Sequence, residues 1–134
     1  SDVHAAIGRV QLGKLAGWTA QRQANAAYLT SALDNVVTPS IASGATHVFH
    51  QYTIRIPGHD QDAFAAALVE QGVGCGVYYP TPVHELPSFG LSLGLPETQR
   101  AAKEVLSLPV HPSLTEDDLE TIALAVNAVA KAGA

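Results

Sequence analysis

One cysteine and no methionine stand in the 134 residues of this chain, and only 14% of its side chains are charged. A lone cysteine excludes an internal disulfide, so packing alone must hold the fold, and a reducing cytoplasm is the expected compartment. The shortage of charge, set against 47% apolar residues, excludes a disordered chain. It also predicts that some apolar surface meets another domain or subunit, an inference softened by the large share of alanine. The basic residues are few and scattered, and a net charge of −5 argues against a nucleic-acid partner. No apolar run approaches the ~20 residues that span a bilayer, and no signal-peptide pattern opens the chain, so no membrane partner is expected. There are no repeats and no internal linker. The length fits one domain, residues 1–134, able to bury roughly two thirds of its unfolded surface.

What is present begins with helical spacing. Val3, Ile7 and Val10 form one apolar row, and Ala5, Leu12 and Leu15 form a second. Asp2 is a candidate N-cap. The pattern continues through Ala26, Leu29 and Leu33 to Asp34-Asn35, predicting one helix of about thirty residues, kinked near Gly13 to Gly17. A helix apolar over so much of its girth is one buried between two bodies. A chain that opens inside a helix, with no start methionine, reads as a fragment.

Alternation over His50 to Pro57, with Tyr52, Ile54 and Ile56 on one face, predicts a half-buried strand. Asp60 caps a helix carrying Phe64, Leu68 and Val69 that stops at Gly72. Val73 to Tyr79 reads as a second strand and 86–95 as loop. Pro96 starts a helix through Ala101, Ala102 and Val105, and Leu106 to Val110 is short and extended. Thr115 and Asp118 form a capping box before the stripe Leu119, Ile122, Val126 and Val129. The order predicts an α+β domain: a small antiparallel or mixed sheet with helices on one face and a long N-terminal helix.

Several strings imitate catalytic motifs. Gly90-Leu91-Ser92-Leu93-Gly94 matches a nucleophile elbow, but that device needs a strand before it, a helix after it and a large sheet beneath. His47, His50, His84 and His111 could form a metal site only by tertiary convergence, since residues three apart on an extended segment face opposite ways. Gly72, Gly74 and Gly76 run from helix to strand, the reverse of a dinucleotide fingerprint. Cys75 between two of them reads as a small core residue rather than a reactive thiol.

The run Tyr78-Tyr79-Pro80-Thr81-Pro82-Val83-His84 is the candidate site. Two prolines fix φ at alternate positions, so the loop holds its side chains at little ordering cost. Tyrosine and histidine there can bind hydroxyls, carbonyls or phosphates; the alternative is surface packing with the polar ends in water. Strand alternation places Tyr78 and Tyr79 on opposite faces, with Tyr79 serving the site.

Four strings in order carry a resemblance to a known family. Ala5-Ala6-Ile7-Gly8 with Gln11-Leu12, Arg22, Tyr28 and Leu33 resembles the entry helix of the small domain in the DegT/DnrJ/StrS sugar aminotransferases. His50-Gln51-Tyr52-Thr53-Ile54-Arg55, the Gly72-Val73-Gly74 turn, the Tyr78 to His84 run, and Leu106-Ser107-Leu108-Pro109-Val110-His111-Pro112 follow in that family's spacing. The resemblance covers almost the whole chain and implies the C-terminal small domain of an aminotransferase of fold type I. It implies a homodimeric enzyme that uses pyridoxal 5'-phosphate to move an amino group, usually from glutamate, onto a nucleotide-linked keto sugar. Tyr79 and His84, with His50 and Arg55, would line the sugar-nucleotide side. Position 83, often Leu in the family, is Val here. The large domain with the cofactor-holding lysine lies outside the chain, as does the Asn-x-Arg segment before the entry helix. Lys14, Lys103 and Lys131 stand in none of the family's lysine context. The chain alone is therefore expected to bind no cofactor and to be inactive, with the large domain as its partner. The rival expectation is a stand-alone binding or regulatory module that keeps the fold.

Overall fold

The computed structural model describes residues 1–133, and its elements follow from local chemistry read along the chain. Helix α1 (Asp2–Leu12) and helix α2 (Leu15–Ala32) replace the single long helix expected. The break falls at Gly13-Lys14, where the Lys14 N–H turns back to the Gln11 carbonyl at 2.9 Å. That tighter i→i+3 bond interrupts the α ladder. Ser1, not Asp2, is the N-cap; its hydroxyl meets His4 Nδ1 at 3.1 Å rather than a backbone N–H. Every residue of α1 is exposed, so the body expected on its far side is not supplied by the described residues.

Strand β1 (Tyr52–Arg55) keeps the predicted alternation, with Tyr52 and Ile54 fully buried and Ile56 buried just beyond its end. It pairs antiparallel with β2 (Val105–Leu108), Tyr52 opposite Leu108 and Ile54 opposite Leu106. Those four side chains form the inner face of the sheet. Single antiparallel bridges widen it on both edges, Val37 to Arg55 and Gly76 to Ser107. The second strand expected over Val73 to Tyr79 is thus reduced to one bridge residue. Gly76 exchanges two backbone bonds with Ser107, at 3.0 and 2.8 Å, and no further rung follows. Glycines at 74 and 76 offer the ladder no side chain to pack, and Pro80 and Pro82 have no N–H to donate.

Helix α3 (Gln61–Glu70) is capped by Asp60, whose carboxylate accepts from the Ala63 N–H at 2.8 Å. Phe64 and Leu68 are buried, whereas Val69 turns to solvent. Gly72 follows with φ at +81°, the left-handed conformation that a glycine adopts without strain. A short 3-10 turn (Val83–Glu85) precedes helix α4 (Pro96–Glu104), which runs directly into β2, so Val105 belongs to the strand. Helix α5 (Glu116–Ala132) starts at the Thr115/Asp118 capping box. Its Leu119, Ile122 and Val126 are buried and Val129 half-buried. α5 packs on α2 and α3, and Leu29, Leu68 and Val126 meet the inner face of the sheet in one apolar core. No described helix is long and apolar enough to cross a membrane.

Candidate functional site

The far side of β2 opens into a cavity of about 720 Å³ whose wall comes from four separated segments. Arg22 enters from α2. His50 and Gln51 come from the approach to β1. Gly74 to Gly76, Tyr78 and Tyr79 form one flank, and Ser107 to Pro112 form the floor. The two tyrosines do not divide between core and site as alternation predicts. After the Gly76 bridge the chain leaves the extended path, the Tyr78–Tyr79 peptide is cis, and both rings stand exposed on the cavity, 5.9 Å apart and edge to face. Tyr78 folds back over Gly76: a β-carbon there would lie 2.6 Å from its ring, so the glycine makes the room.

Of the other residues singled out in the sequence, His50 lines this cavity, as Tyr79 does. His84 does not. It sits on the 3-10 turn with its side chain 10% exposed; its Nε2 is buried without a hydrogen-bond partner and lies 3.4 Å from Glu85 Oε1. Glu85 Oε1 in turn accepts from Gln99 Nε2 at 2.7 Å. Arg55 is also elsewhere, its Nε donating to Glu104 Oε2 at 2.9 Å. Both stand outside the cavity that gathers His50 and Tyr79.

Two further residues, His111 and Arg22, complete the wall, and a third, Asn25, holds it from behind. His111 closes the floor, and Arg22 supplies the cavity's cation. Asn25, 1% exposed, donates from Nδ2 to the His111 carbonyl at 2.9 Å and accepts from Gln21 Nε2 at 2.9 Å. A buried amide satisfied on both ends fixes its partners, so Asn25 ties the His111 segment to α2. A polar residue on the buried face of a predicted helix was the available signal. Among the described residues no Asp or Glu lines the cavity. Burial pushes the Cys75 thiol up, which keeps it protonated. The arrangement is a donor-rich, aromatic-flanked concavity suited to a polar ligand bearing negative charge.

Ser92 lies in an exposed loop between the 3-10 turn and α4, with no strand leading into it. Among the described residues no group of His, Cys, Asp and Glu could hold a metal ion.

The chain belongs to the DegT/DnrJ/EryC1/StrS aminotransferase family, whose model matches residues 1–127. Among its relatives, the pleiotropic regulatory protein of Geobacillus stearothermophilus is 46% identical, aligned over 90% of this chain and 34% of its own length. The UDP-N-acetyl-3-dehydro-alpha-D-glucosamine 3-aminotransferase of Acidithiobacillus ferrooxidans is 31% identical over 93% of this chain and 34% of its own. The aminotransferase TlmJ from Streptoalloteichus hindustanus superposes with a TM-score of 0.90 at 32% identity, covering 98% of this chain and 37% of that one. The chain thus spans about a third of the length of the relatives it matches, and its α+β fold is that of the matched third.

Proposed function

We propose that this chain is the C-terminal small domain of a pyridoxal-phosphate enzyme that transfers an amino group, with glutamate as donor, to a nucleotide-linked keto sugar. The observation that carries the reading is the cavity itself: His50, Tyr78, Tyr79 and His111 converge there from separate segments in a member of an aminotransferase family. The chain's part is to bind and orient the sugar-nucleotide substrate, with Tyr79 and His50 in direct contact. His84, outside the cavity with its Nε2 buried beside Glu85, acts by holding the adjoining turn rather than by touch. Arg55, held by Glu104, acts by fixing the edge of β1 rather than by touch.

Pyridoxal phosphate supplies the electron sink for moving the amino group. The lysine that holds it requires a partly desolvated pocket and an acid at the pyridine nitrogen. The lysines present do not fit. Lys14 lies over the Trp18 ring at 5.9 Å on an exposed stretch, and Lys103 and Lys131 are exposed on their helices. Covalent chemistry is therefore assigned to the rest of the polypeptide, along with the dimer partner. The test is borohydride reduction of the longer protein with pyridoxal phosphate, followed by peptide mapping. Cofactor fixed to a lysine outside residues 1–134 is expected, and a sole adduct on Lys14, Lys103 or Lys131 would refute the reading. In the same protein, Tyr79→Ala and His50→Ala should raise KM for the nucleotide sugar about tenfold or more, the scale of a lost ligand hydrogen bond with its buried partner left unpaired.

The second reading, a non-catalytic binding or regulatory module, draws on the 46% identical relative named a pleiotropic regulatory protein. Nucleotide-sugar binding without turnover, in a longer protein loaded with cofactor, would favour it.

A further inference from the structure

The arginines of this chain divide by their partners. Arg55 pairs with Glu104 and Arg100 with Glu97, while Arg9 stands on the exposed helix α1. Arg22 differs from all three. It is half-buried on α2, lines the cavity, and among the described residues forms no carboxylate pair. Its Nε donates to the Val48 carbonyl at 3.1 Å and its Nη2 to Thr19 Oγ1 at 3.2 Å. A guanidinium carries five N–H donors in a rigid planar fork. Two are engaged, and three remain.

A partly desolvated cation with no counter-charge carries a free-energy cost that an incoming anion offsets. The two neutral contacts hold the fork in place from α2 and from the segment before Phe49, so little ordering is left for binding. The surroundings agree in sign. Among the described residues no carboxylate lines the cavity, whereas His50, His111, Tyr78 and Tyr79 can each present a donor. Asn25, three residues along the same helix face, anchors the backbone of His111 at 2.9 Å. One face of α2 thus supplies the cation and fixes the segment opposite it.

We infer that Arg22 is an oxyanion-recognition residue and that the oxyanion it takes is a phosphate of the nucleotide-linked ligand. The inference rests on the nucleotide-sugar reading above. The competing source of an oxyanion is the carboxylate of an amino donor. Phosphate is favoured because a carboxylate's two oxygens are filled by one fork, whereas this wall offers an arginine with imidazole and phenol donors around it.

The experiment uses the longer protein and its R22Q and R22K variants, titrated calorimetrically with UDP, with dTDP, with inorganic phosphate and with glutamate. For whichever nucleotide binds, R22Q should raise Kd by about tenfold or more, the range of a lost charge-assisted hydrogen bond. R22K should recover part of the loss, and the salt dependence of binding should flatten in R22Q. Phosphate should compete with the nucleotide, and glutamate affinity should not change. Nucleotide binding equal in wild type and R22Q overturns the inference while leaving the substrate reading intact. Loss of glutamate binding alone reassigns Arg22 to a carboxylate and also overturns it. A wild-type protein that binds neither nucleotide overturns both. A measurement on the wild type guards against a variant that fails to fold: the nucleotide should protect Arg22 from phenylglyoxal and glutamate should not. Equal modification rates with and without nucleotide overturn the inference.

Discussion

Cys75 shows how a single residue's chemistry is set by its wall. It stands half-buried with Sγ 3.8 Å from the Ala65 carbonyl, and burial raises its thiol above the ordinary range. The thiolate is the reactive form. Iodoacetamide should therefore alkylate Cys75 more slowly than a free cysteine at pH 8, and the rate should climb only at higher pH. A rate matching free cysteine would show that the thiol is not desolvated. The same scale explains why Arg22 and Arg55 part ways. Residue type is identical, but Glu104 neutralises one, and the other faces a cavity without an acid.

Elements in this chain are held by their ends as much as by their faces. At the start of α5 the Asp118 N–H donates to Thr115 Oγ1 at 3.1 Å, and Asp118 Oδ2 accepts from the Thr115 N–H at 2.8 Å. The Thr115 backbone bond first, and then its hydroxyl, hold the Asp118 carboxyl below its usual range. A depressed carboxyl pKa gives stability that is present above the unfolded value, about 3.9. It is lost as pH falls through the lower folded value. Melting below pH 4 should accordingly fall more steeply in the wild type than in Asp118→Asn, and parallel curves would rule out this linkage. Thr115→Ala should cost about 1 kcal/mol, lowering Tm by roughly 4 °C. Helix α1 is the opposite case, with good helical spacing and no buried residue. Without tertiary burial a helix of its length is marginal. In the 134-residue chain its amides should exchange with deuterium far faster than those of α5, and equal protection would mean that something covers α1.

At the scale of the whole molecule, the two-stranded sheet is the hub on which α2, α3 and α5 close. Ile54 is fully buried opposite Leu106. Ile54→Ala should cost about 2–5 kcal/mol through lost burial and the cavity left behind, read as a lower midpoint in urea at unchanged slope. A cost under about 1 kcal/mol would place the stabilising core elsewhere. The same sheet positions the cavity: its inner face makes the core, while Ser107 and the segment that follows it open onto the cavity.

The sequence by itself determined whatever depends on neighbours two to four residues away. The alternation of Tyr52, Ile54 and Ile56, the Asp60 cap, the Thr115/Asp118 box and the α5 stripe all report local periodicity, and all stand in the structure. The resemblance in four ordered strings gave the family, which the match over residues 1–127 shows. Tertiary structure alone decided who meets whom. Asn25 reaches His111 across 86 positions, and Arg22, His50, Tyr79 and His111 share one wall while His84 and Arg55 stand apart from it. It also cut the second strand to Gly76, because a strand exists only where a partner's backbone accepts its bonds. Periodicity carries the direction of a side chain relative to its own element. Where that element lies against the others is a property of long-range packing.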